Sequence, residues 1–225
     1  MRFNPQIAKK GFNKLYTEVL KSSLSEKTWK NILFIFTKIE DDEHWADYRQ
    51  VANFLAQTGF ESMWAYAPVK EVRAKPGTKL YDIQNKYWST SYFGRGILQI
   101  TWRANYEKMS KYVGFDLVKN PDLALNPEVS YILAAKGMQL GLYTGKKLDD
   151  YIKGNKCDYF NSRRIVNGLD NAKEIAHYSK CIEVVLKAAL IQEPQWSDAS
   201  TSSSDETFLV ADTQTGSGTT TTEIT

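Results

Sequence analysis

The 225-residue sequence is short of the residues that several common chemistries require. Histidine occurs twice (His44, His177) and cysteine twice (Cys157, Cys181). Two cysteines cannot build a disulfide scaffold, so free thiols that behave as small apolar residues are expected. The histidines do not share a metal-ligand spacing such as H-E-x-x-H, which leaves zinc chemistry and a histidine-based triad without support. No run approaches the roughly 20 apolar residues that span a bilayer. The N-terminal MRFNPQIAKKGFNKLY also lacks the apolar segment of a signal peptide. Synthesis in a cytoplasm is therefore expected, and a substrate outside the membrane would need another agent to deliver this chain to it.

Charge is nearly balanced, with 29 Lys+Arg against 26 Asp+Glu and a formal net charge of +3. That excludes the strongly basic, clustered footprint of a nucleic-acid binder, and it suits an anionic bacterial wall only weakly. Gly94-Arg95-Gly96 lacks the Lys-Ser/Thr of a phosphate loop, and a dinucleotide fingerprint would need a βαβ context. No metal or organic cofactor is expected. What remains abundant is the aromatic residues and the carboxylates. The aromatics fill a core or stack on sugar rings, and any single carboxylate is usually a solvated surface group.

Periodicity gives a mainly helical domain. Phe12, Leu15, Tyr16, Val19 and Leu20 form one apolar stripe. Ser23 with Glu26 reads as a capping box ahead of a second stripe of Trp29, Ile32, Leu33 and Phe36. A third (Trp45, Tyr48, Ala52, Leu55) runs to Gly59, which reads as a helix stop, so that Glu61 falls just beyond the helix. Residues 62–90 are irregular and read as a long loop with a possible short hairpin. Tyr92 to Thr101 reads as buried and extended, leading into a helix over Trp102 to Val113. Asn126-Pro127-Glu128 opens a helix carrying Val129, Ile132, Leu133 and Leu140. A last helix over Ala172 to Leu190 turns Ile175, Tyr178, Ile182, Leu186 and Ala189 inward. The domain is expected to cover 1–194. From 195 to 225 a Ser/Thr-rich tail follows, with an apolar island at Phe208 to Val210 that could contact a virion or other protein partner.

Two segments stand out. One is Ala56-Gln57-Thr58-Gly59-Phe60-Glu61-Ser62, followed by Pro68-Val69-Lys70-Glu71. The other is Tyr92-Phe93-Gly94-Arg95-Gly96-Ile97-Leu98-Gln99-Ile100-Thr101-Trp102-Arg103-Ala104-Asn105-Tyr106. The second closely resembles the signature of glycoside hydrolase family 19, the chitinases and related phage endolysins. Asn120-Pro121-Asp122-Leu123-Ala124 and Arg163-Arg164-Ile165-Val166-Asn167-Gly168 follow as further landmarks in the expected order, over roughly Phe12 to Leu190.

The resemblance implies a lysozyme-like, two-lobed helical fold with a small irregular or β-hairpin region beside a cleft. It also implies inverting hydrolysis of β-1,4-linked amino-sugar polymers by two carboxyl groups. Glu61 is similar in position to the family's acid, and Glu71 is the candidate base. Thr101 matches the hydroxyl that holds the attacking water. Gln99, Asn105, Tyr106 and Asn167 match substrate-binding residues. Either Arg163 or Arg164, the latter counted with the substrate-binding set, contacts the acid–base network. Arg95 is expected to bond loop carbonyls, with Gly94 and Gly96 permitting tight turns. The short form looks like a monomeric phage lysin acting on peptidoglycan after holin-type or virion delivery; a chitinase is the alternative. Phe60 stands where the family usually has His, and this motivates a third reading, a non-catalytic glycan-binding or virion structural protein.

Overall fold

In the computed structural model the described residues are 1–191, so the expected tail of 195–225 lies outside them. Asn4 opens helix α1 (Pro5–Lys14) by accepting from the N–H groups of Gln6 and Ile7, both at 3.0 Å. A π-type turn (Leu15–Val19) prolongs it. Helix α2 (Glu26–Glu40) is capped by Ser25, whose hydroxyl accepts from Thr28 N–H at 3.0 Å. The cap is therefore Ser25 and not Ser23, because only a residue one position before the first turn can reach the free N–H groups there. Asp47 caps helix α3 (Tyr48–Glu61), which is buried continuously from Gln50 to Gly59.

Helix α3 corrects two expectations together. Gly59 does not stop it, and Glu61 is its last residue rather than the first beyond it. A Cβ on Gly59 would come within 2.7 Å of Trp64 Cε3 and 2.8 Å of the Tyr66 hydroxyl. The glycine thus admits two rings that fold back on the helix. The turn itself is made later, where Met63, Trp64 and Tyr66 take positive φ.

After α3, strand β1 (Val69–Lys70) pairs antiparallel with β2 (Arg95–Gly96), placing Val69 opposite Gly96. Between them lies a helix that periodicity did not indicate, α4 (Lys79–Asn85), capped by the Thr78 hydroxyl. Helix α5 (Arg103–Val113) ends at Gly114, with φ +73°. Asn126 and Pro127 begin α6 (Pro127–Leu140) as expected, although Leu140 is exposed. A small hairpin of β3 (Ile152–Lys153) and β4 (Lys156–Cys157) precedes α7 (Ala172–Ala189), whose five expected inward residues are all buried. Cys157 and Cys181 are free, as expected, but Cys157 is exposed.

Two apolar clusters account for the two lobes. The larger gathers α1, α2, α3 and α7 around Phe12, Ile32, Phe54 and Ile182. The smaller gathers α5 and the segment before α6 around Ile100, Tyr106, Met109 and Leu117. Helix α6 serves both, sending Tyr131, Ala134 and Met138 into the first and Val129 and Leu133 into the second. No helix among the described residues is long and apolar enough to cross a membrane.

The tight seat of Gly59 gives a stability prediction. Ala there would gain roughly 1 kcal/mol of helix propensity but force Trp64 and Tyr66 outward, an overpacking cost of about 1–3 kcal/mol. Gly59→Ala should therefore lower the urea midpoint at unchanged m-value. An unchanged or raised midpoint would mean that the rings can retreat freely.

Candidate active site

The sequence-predicted residues fall into two groups. Glu61 belongs to the first, at the C-terminal end of α3. Its Oε1 lies 2.7 Å from Nη2 of Arg163, and the side chains of these two are 22% and 3% exposed, Glu61 first. Arg163 is held on its other edges, donating from Nη1 to Gln57 Oε1 (3.2 Å) and from Nε to the Asp170 carbonyl (3.2 Å). Gln57 in turn donates from Nε2 to Asn53 Oδ1 and to the Ser162 carbonyl. Asn53 closes the chain by donating to the hydroxyls of Ser162 and Ser179. Every member of this network except Glu61 and Asp170 is buried.

That arrangement resolves the arginine question. Arg163 meets the carboxylate, while Arg164 is exposed and reaches only Asn161. Consecutive residues on a 3-10 turn point in different directions, so only one of the pair can face α3. Asn167 follows closely, its N–H donating to the Arg163 carbonyl at 3.0 Å. Its own side chain is exposed and accepts from Gly168 N–H.

The second group surrounds Glu71. Three donors converge on this carboxylate. Gln84 Nε2 (2.9 Å) and the Tyr87 hydroxyl (2.7 Å) reach Oε1, and the backbone N–H of Gly94 (2.7 Å) reaches Oε2. The Glu71 N–H donates back to the Gly94 carbonyl at 2.8 Å, so residue 71 is pinned at both ends. Gly94 is required by this closeness: a Cβ there would lie 2.6 Å from Gln99 Oε1 and 3.2 Å from Glu71 Oε2. Burial, then the hydrogen bond to Glu71 and its charge, push the Tyr87 phenol well above its usual range, so it remains a donor.

Gln99 sits beside this group, and its amide donates to the Val69 (2.7 Å) and Gly96 (2.8 Å) carbonyls across β1 and β2. Thr101 donates its hydroxyl proton to the Gln99 carbonyl at 3.0 Å, and Asn105 donates to the Thr101 carbonyl at 2.8 Å. Gln99, Thr101 and Asn105 are half-buried, within reach of a ligand. Tyr106 is different. It is 0% exposed, and its hydroxyl donates to the Phe93 carbonyl at 2.8 Å while accepting from Arg95 Nη1 at 3.1 Å. It is a core residue and cannot bind substrate directly. Burial pushes its phenol up to about 12.

Arg95 has the structural role expected of it. It donates to the Ser91 and Phe93 carbonyls, pairs with Asp122 at 2.6 Å and lies over the Phe93 ring, 4.0 Å from its centroid. Gly96 provides the expected turn, with φ +88°. No cluster of His, Cys, Asp and Glu suited to a metal is present among the described residues.

Some of these partners were beyond sequence reasoning. Asn53 and Gln57 precede Glu61 at successive i, i+4 spacings in the largely apolar stretch of α3 after Gln50, a signal that could have marked them. Nothing in the sequence indicated Gln84 or Tyr87, which come from the unexpected helix α4 and its exit.

Two measurements test this geometry. Arg163→Met leaves the Glu61 carboxylate and the Gln57 carbonyl without their donor, which should cost about 3 kcal/mol; a loss below about 0.5 kcal/mol would put the residue among ordinary surface positions. Asp122 lies below the usual carboxylate range, chiefly through its hydrogen bond to Arg95 and also through Lys70. A depressed pKa contributes stability above the unfolded value and loses it as the group protonates on acidification. The difference in thermal midpoint between wild type and Asp122→Asn should therefore shrink from pH 7 towards pH 3. A constant difference would mean that the pairing contributes nothing.

Comparison with known proteins agrees with the motifs. The sequence model of the Glyco_hydro_19 family, chitinase class I, matches residues 34–136. A basic endochitinase of Vitis vinifera is 34% identical over 97 residues, covering 36% of this chain and 30% of that protein. An endochitinase of Avena sativa is 42% identical over 78 residues, covering 33% and 32% respectively. The matched region thus spans about a third of the length of these curated relatives. In three dimensions, chitinase C from Streptomyces griseus HUT6037 superposes with a TM-score of 0.50 at 15% identity, covering 82% of this chain and 94% of that one. That likeness shows a shared fold, and the family model matches residues 34–136, somewhat less than half of the chain.

Proposed function

We propose that this protein hydrolyses β-1,4 bonds of N-acetylglucosamine polymers, as a chitinase does, by single displacement with inversion. The observation that carries this reading is the contrast between the two carboxyl groups. Glu61 has one oxygen on a buried arginine, whereas Glu71 is fixed by three donors. Glu61, the acid by resemblance, has Oε2 as the oxygen outside the arginine pair, and this oxygen faces the leaving glycosidic oxygen. Glu71 Oε2, with a single donor on it, keeps a lone pair for a proton of the attacking water. Because the Thr101 hydroxyl proton is committed to the Gln99 carbonyl, its oxygen is left to accept the other proton of that water. A water held by two acceptors turns its own lone pair towards the anomeric carbon.

Gln99, Asn105 and Asn167 are proposed to contact the sugar. Arg163, and not Arg164, positions the acid, and it supplies the polar support that Phe60 cannot give. Peptidoglycan shares the β-1,4-linked amino-sugar backbone and is the second substrate considered, with a lysin acting on a bacterial wall as its setting. The chitin reading leads because the relatives named above are chitinases.

Side-by-side digestion of chitin oligomers and purified peptidoglycan provides the test. The wild type should release new reducing ends from chitin oligomers, with the α-anomer appearing first by proton NMR. Glu61→Gln should lose at least about 100-fold in rate. Equal release by both proteins, or by neither, would refute the assignment, and binding without turnover would favour the non-catalytic glycan-binding reading. Faster release from peptidoglycan would move the substrate to the bacterial wall.

A further inference from the structure

Trp102 follows Thr101 directly and has no part in the network above. Two features of it conflict with an ordinary structural role. Its backbone has φ +73° and ψ +135°, a region that a bulky side chain occupies only under strain. Its side chain does not compensate by filling the core, because the residue is 45% exposed. The surrounding backbone does use this conformation: the Trp102 N–H donates to the Tyr92 carbonyl at 2.8 Å, and its carbonyl accepts from the Asn105 and Tyr106 N–H groups as α5 begins. A glycine would make all of those bonds without strain. The backbone therefore accounts for the conformation but not for the indole.

The indole has a defined place. Its ring packs edgewise on Tyr87, with centroids 5.0 Å apart and planes at 69°. The Tyr87 hydroxyl is the donor that reaches Glu71 Oε1 at 2.7 Å. An exposed aromatic surface thus packs on one edge against the phenol that holds Glu71, and its residue directly follows Thr101 in the chain. Tyr87 itself is buried, so the edge contact rests on a packed ring. This is a half-solvated ring beside polar groups, the form that suits stacking on the apolar face of a pyranose.

We propose that Trp102 is a substrate-binding residue, a platform on which a sugar ring stacks next to Glu71 and Thr101. This inference rests on the glycosidase reading, and it gives the strained tryptophan a reason to be kept where glycine would be more stable. A residue retained for packing would lose stability on truncation, whereas one retained for ligand should lose binding and keep or gain stability.

The experiment uses the full chain in a Glu61→Gln background, so that the ligand is not turned over. Trp102→Gly and Trp102→Phe are compared with that parent for thermal midpoint and for affinity to the N-acetylglucosamine hexamer by calorimetry. The expectation is that Trp102→Gly keeps or raises the midpoint yet weakens hexamer binding about tenfold or more. Trp102→Phe should recover part of that affinity. The indole N–H resonance that disappears in Trp102→Phe should shift when the parent is titrated with hexamer. Unchanged affinity in Trp102→Gly, or a lowered midpoint there, would overturn the platform while leaving the glycosidase reading intact. A parent that binds no hexamer would instead overturn the reading as an N-acetylglucosamine-polymer hydrolase, and the platform with it.

Discussion

Arg163 is a charged group 3% exposed to solvent, and much of the architecture around Glu61 follows from having to satisfy it. A guanidinium out of water is costly unless its donors are engaged. Here Nη2 takes Glu61, Nη1 takes Gln57 and Nε takes the Asp170 carbonyl. Gln57 has no freedom left: with its nitrogen committed to Asn53 and Ser162, its oxygen must face the arginine. The polarity of the chain is thereby fixed from Ser179 to Glu61. It also joins α3, α7 and the 3-10 turn that carries Arg163, so the position of Glu61 is inherited from the packing of the larger lobe.

The Glu71 side is organised differently. Glu61 is placed by a helix and an ion pair, whereas Glu71 is placed by a two-residue strand and neutral donors. Gly94 permits the approach, Gln99 ties β1 to β2, and Arg95 anchors β2 through Tyr106 and Asp122 to the smaller lobe. The two carboxyl groups thus draw their supports from different lobes, with α6 packing into both. Two acids in unlike environments are what the proposed single-displacement hydrolysis requires.

Legibility in the sequence followed the range of the physical cause. Helix α6 could be read because Asn126, Pro127 and Glu128 act on N–H groups within one turn, and α7 because its apolar stripe repeats from Ile175 to Ala189. Gly59 was misread for a related reason. A glycine near a helix end signals a stop when only local preference is considered, but this one is needed by Trp64 and Tyr66 as they fold back. Tyr106 was misassigned through its motif neighbours. Its spacing from Asn105 is that of the family, yet the same α5 turn that exposes Asn105 points Tyr106 into the smaller core.

By itself the sequence determined the mainly helical class, most of the helices, the resemblance to glycoside hydrolase family 19 and the identity of Glu61 and Glu71 as the carboxylates to examine. Those conclusions depend on periodicity, capping and ordered motifs, which are written in residues near one another. Tertiary structure alone decided that Arg163 and not Arg164 meets Glu61, and that Gln84 and Tyr87 hold Glu71. It also decided that Tyr106 is core and that Trp102 is strained and exposed. Each of these turns on which side of a backbone a side chain leaves and on what a distant segment brings to meet it. For a pair such as Gln57 and Arg163, no local pattern encodes the meeting.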